Sequence, residues 1–137
     1  MKIVIQNGAG NPISRKKMQC LVEIIPTSLF KGCSTFVLCE SRGGESEITY
    51  YPKEQTIEFG APSSLPLQSI AEELILGLEL IQEKGMVPPK ISVHRRSEIL
   101  FFNQELISKC VGVLQCVSRL TKPTTIARAK NVRARPR

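Results

Sequence analysis

Residues 65–85, "LPLQSIAEELILGLELIQEKG", decide the fold. Leu67, Ile70, Ala71, Leu74, Leu78 and Ile81 recur at three- and four-residue intervals, which puts them on one face of a helix. Pro66 suits a first helical turn, Ser63 or Ser64 can cap the start, and Gly85 is a natural stop. Gln68, Glu72, Glu79 and Glu83 lie off the stripe. The spacing therefore predicts a helix from Leu65 to Lys84 with an aliphatic face made for a core.

The flanking segments give this helix something to pack on. "EITYY" (47–51) and "TIEFG" (56–60) are β-rich runs joined by "PKEQ", which predicts a hairpin. "STFVLCE" (34–40) and "KIVIQ" (2–6) read as two further strands. After the turn "NGAGNP", Asn11 has the place of an N-cap and Pro12 that of a first helical residue. A helix from Pro12 to Ile25 would bury Met18, Leu21, Val22 and Ile25 and end at Pro26. Beyond "MVPPK", a last helix from Ser97 to Leu120 would bury Ile99, Phe102, Leu106, Cys110, Val113, Val117 and Leu120. The expected fold is α+β, a small, mainly antiparallel sheet packed against two or three helices. It forms one domain over residues 1–118, with 119–137 as a disordered tail that lacks any apolar stripe.

Composition narrows the function classes. With 42% apolar residues, no Trp and 5% aromatics, the core must be mainly aliphatic. No apolar run approaches the ~20 residues that span a bilayer, and the first residues are too short in hydrophobicity for a secretory signal. A cytoplasmic chain without membrane contact is the expectation. Cys20, Cys33, Cys39, Cys110 and Cys116 include no CxxC pair, so free thiols are expected rather than a zinc site or redox pair.

Two catalytic patterns fail on their residues. Gly8 and Gly10 supply the start of a GxGxxG turn, but Ile13 holds the third place and no ribose-binding acid follows. A Cys–His or Ser–His pair would have to use His94, the single histidine, and nothing in the sequence marks a partner.

The stretch "ITYYPKEQTIEFGAPSSLPLQSIAEELILGL" carries a resemblance. The order helix, strand, hairpin, helix bearing a signature Glu, then a further helix resembles the minimal zincin metallopeptidases of ImmA/IrrE and SprT-like type, over about residues 12–118. In those families two His one turn apart hold Zn²⁺ and the Glu between them is the general base. The resemblance puts Ala71 and Ile75 at the His positions and Glu72 at the base. "VHRRSEILFF" is similar to the segment that supplies a third ligand, here His94. Apolar residues at both His positions imply a pseudo-zincin that has lost its metal, with Glu72 as a relic. Read without the resemblance, Glu72 is a solvated helix residue beside Glu73.

Charge is unevenly placed. Arg119, Lys122, Arg128, Lys130, Arg133, Arg135 and Arg137 stand in a segment without an acid, while residues 1–118 hold twelve bases and twelve acids, all of them Glu. Three readings fit such a tail: contact with nucleic-acid phosphates, contact with an acidic protein partner, or solvation alone. No aromatic is interleaved for base stacking. The sequence thus points to a non-catalytic regulatory or interaction domain without a cofactor. The alternative is a nucleic-acid-associated protein that works through its tail.

Overall fold

The computed structural model describes residues 1–6, 11–41 and 43–120, with side chains to 115. The elements are β1 (Lys2–Ile5), α1 (Arg15–Ile24), a 3₁₀ turn (Thr27–Phe30), β2 (Thr35–Cys39), β3 (Glu47–Tyr51), β4 (Thr56–Gly60), α2 (Leu67–Lys84), α3 (Val93–Phe102) and α4 (Gln104–Leu120). The class is α+β. Its four-stranded sheet has the order β1-β2-β4-β3.

The sheet is mixed rather than mainly antiparallel. β3 and β4 form the expected antiparallel hairpin, with Tyr51 opposite Thr56, but β1–β2 and β2–β4 pair in parallel. The first parallel joint follows from α1, a crossover that returns the chain to the same end of the sheet. The second arises because β4 inserts between β2 and β3. The hairpin is local and shows in the sequence, whereas the β2–β4 pairing is not local.

Alternation assigns the faces. Ile3, Phe36, Leu38, Ile57 and Phe59 are buried and form the floor of the main core. Val4, Val37, Cys39 and Glu58 alternate with them and lie outside it. Met18, Leu21 and Ile25 cover the floor at the α1 side, Ile107, Cys110 and Leu114 from α4, and Ile70, Leu74 and Leu78 from α2. Val22 is only half-buried.

α2 starts after Pro66 without a side-chain cap and ends at Gly85 in the left-handed conformation, φ 76°. More of it is buried than its stripe predicts. Leu76 and Leu80, on another face, form a second apolar cluster with Ile99 of α3. Two further expectations are corrected here. Asn11 does not cap α1; Ser14 does, accepting from the Lys17 N–H. The Asn11 amide instead donates to Cys39 O (2.7 Å) and Phe59 O (3.2 Å), clamping the approach to α1 across β2 and β4. The long last helix is broken at Asn103, whose amide donates to Glu79 and to Ile99 O. The break lets α3 cover α2 while α4 packs on α1 and α2. It also leaves Phe102, expected in the core, 78% exposed.

Candidate functional site

A groove lies where β3 meets α2. Its first hollow, about 320 Å³, is lined by Glu45, Ser46, Leu65, Ser69, Glu72, Glu73 and Arg96. Its second, about 180 Å³, is apolar, with Ile48, Leu76, Gly77, Leu80, Val87 and Ile91 among its walls. Both share Glu73 and Arg96, which form an ion pair. Gly77 sets the depth, because a Cβ there would lie 2.3 Å from Ile48 Cγ2. A side chain at that position would push β3 off the helix.

Two features leave this groove unfinished. β3 ends the sheet, and among the described residues no strand or side chain bonds to its outer edge. Ser46 Oγ, in the first hollow, is buried and has no hydrogen-bond partner among the described residues. Buried hydroxyls in folded proteins almost always have one.

The surroundings are acidic. Glu45, Glu72 and Glu73 line the groove. On the opposite face of the sheet a second concavity, about 450 Å³, is lined by Gln6, Cys39, Glu40, Glu47, Thr49, Tyr51 and Glu58. Three acids on each side place half of the chain's twelve around one strand. Arg96 is the single cation among the residues of these two linings, and it is paired with Glu73.

The candidate metallopeptidase positions are not brought together. Ala71 and Ile75 are buried in the main core, 1% and 0% exposed, and do not line the groove. The groove-facing positions one turn apart are Glu72 and Leu76, one residue further along. Glu72 accepts a hydrogen bond from Gln68 at 3.0 Å. His94 is exposed in the first turn of α3, and it is Arg96 that reaches the groove. Among the described residues no three His, Cys, Asp or Glu side chains converge as a metal site would require.

The thiols are no better placed for chemistry. Among the described residues Cys20, Cys33 and Cys110 are free thiols. Burial pushes the Cys110 thiol up to about 11 and that of Cys33 upward, the wrong direction for a nucleophile at neutral pH. Of the basic segment, Lys122, Arg128, Lys130, Arg133, Arg135 and Arg137 lie outside the described residues, as does the expectation of disorder there. Arg119 falls in the last turn of α4, and its side chain is likewise outside.

The sequence reading missed the groove because its walls come from four separated segments. It also missed an apolar pair on α3, Phe101 and Phe102, exposed by 68% and 78% and packed edge to face at 6.4 Å. Among the described residues no helix is long and apolar enough to cross a membrane. The chain matches no protein-family model, and neither characterised proteins nor solved structures match it.

Proposed function

We propose that the chain is a non-catalytic interaction domain that receives an extended segment along the outer edge of β3. The observation that carries this reading is the open edge beside a groove. Strand addition supplies main-chain hydrogen bonds along such an edge, and flanking hollows sort alternate side chains. Here one hollow is acidic and the other apolar. Of the positions that the zincin resemblance names, Glu72 alone lines this groove, while Ala71 and Ile75 face the core. A pseudo-zincin reading therefore rests on Glu72 and on the groove beside its helix.

Selection from a random-peptide display library against the full chain tests the proposal. Binders should perturb the backbone amides of Glu47–Tyr51 and of the groove wall on α2. Binders that leave β3 unperturbed would refute it.

The charge distribution favours a second reading. Seven cations without an acid after residue 118, on a chain otherwise balanced, suit phosphate contact. If about four to six of them meet duplex phosphates, log affinity should fall with log salt at a slope near −0.9 per contact. A slope near zero, or no binding at low salt, would rule this out.

A further inference from the structure

We infer that the segment which fits the β3 groove is the chain's own C-terminal stretch, residues 121–137, within the same molecule. The inference rests on β3 being a docking edge and names its occupant. Charge complementarity comes first. The described residues that line the concavities on the two sides of β3 include six acids and one cation, Arg96, itself paired with Glu73. Residues 121–137 carry Lys122, Arg128, Lys130, Arg133, Arg135 and Arg137 with no acid.

The pattern agrees as well as the total. A strand sends successive side chains to opposite faces of a sheet. Arg128 and Lys130 are even-numbered, and Arg133, Arg135 and Arg137 are odd-numbered. β3 has five residues, and a register that pairs it with 129–133 or 130–134 would send Lys130 to one face and Arg133 to the other. β3 has acids on both: Glu45 and Glu72 toward the groove, Glu40, Glu47 and Glu58 toward the open face. A segment basic on one face only would leave one set of carboxylates unmatched. Ala127, Ala129 and Ala134 between the cations are small enough for close pairing.

Reach is no obstacle. Seventeen residues extend to roughly 56–61 Å at about 3.3–3.6 Å each, and a folded unit of this size has a radius of gyration of about 14 Å. Tethering also raises the local concentration of the segment to the millimolar range, as for any short linker. The same cations serve the nucleic-acid reading, so a polyanion and the groove would compete for them.

Amide hydrogen exchange on the full-length chain tests the inference. The β3 amides that do not donate to β4 are compared between the unmodified chain and a variant with all six cations of 121–137 changed to Gln. They should exchange about tenfold faster in the variant, because a weakly held strand protects only while it is docked. A second variant, E47Q/E58Q/E72Q with the C-terminal stretch intact, should show the same acceleration. A synthetic peptide of residues 121–137, added to the first variant, should restore the protection. In the unmodified chain the protection should survive about tenfold dilution, as an intramolecular contact must. Equal exchange in all three chains overturns the inference, and so does protection that disappears on dilution. The docking-edge reading is judged separately. If display-selected peptides slow these amides while 121–137 does not, only the choice of occupant fails.

Discussion

β1 and β3 are both edge strands, and the molecule treats them differently. β1 has four residues, and the Arg15 guanidinium donates to its Ile3 carbonyl, closing part of the edge with a cation. β3 has five residues, a groove beside it and no described partner along its outer side. Open edges invite pairing with other chains, and proteins usually blunt them with short strands, charges or covering elements. Among the described residues one edge is blunted and the other is left open next to two hollows. The contrast separates an edge that the fold closes from one that it presents.

Breaking the support common to both edges should have the largest effect. Leu74 is 1% exposed in the core beneath the sheet. Leu74→Ala should cost about 2–5 kcal/mol in a denaturant titration. Next comes Gly77→Ala, which acts on the β3 side alone. Its Cβ would meet Ile48 at 2.3 Å, an overpacking cost of about 1–3 kcal/mol, set against a helix-propensity gain of up to about 1 kcal/mol. The net should be destabilising, with shifts concentrated in β3. A stabilised Gly77→Ala variant would mean that β3 does not sit this close to α2.

Arg15→Ala sharpens the comparison from the other side. Losing the hydrogen bond to Ile3 should cost about 0.5–1.5 kcal/mol and make β1 exchange more like β3. If β1 protection is unchanged, the edge is not closed by Arg15. Glu72→Gln should be the mildest, within about 0.5 kcal/mol in stability, while weakening binding of cationic peptides to the groove. A large loss of stability on Glu72→Gln would contradict its place on the groove wall.

The sequence showed more of the fold than of the site, for a physical reason. The α2 stripe, its Gly85 stop and the β3–β4 hairpin are local patterns, and each formed where its spacing placed it. The parallel β2–β4 pairing is a contact between separated segments, and no local period encodes it. Asn103 breaks the last helix because its amide bonds to Glu79 on α2, a partner 24 residues away. The resemblance to zincins singled out Glu72, which does line the groove. The same register put Ala71 and Ile75 beside it, and those side chains belong to the core. Which way a helix residue points depends on what packs around it, and α2 is covered on two faces.

The central claim is that the open edge of β3 takes an extended segment. The most direct measurement is an isotope-filtered NMR experiment on the full-length chain bound to a display-selected peptide. The account predicts cross-strand contacts between peptide backbone protons and Glu47–Tyr51, with side-chain contacts to Glu72 and Leu76. Contacts confined to Phe101 and Phe102 on α3, with the β3 amides unshifted, would contradict it.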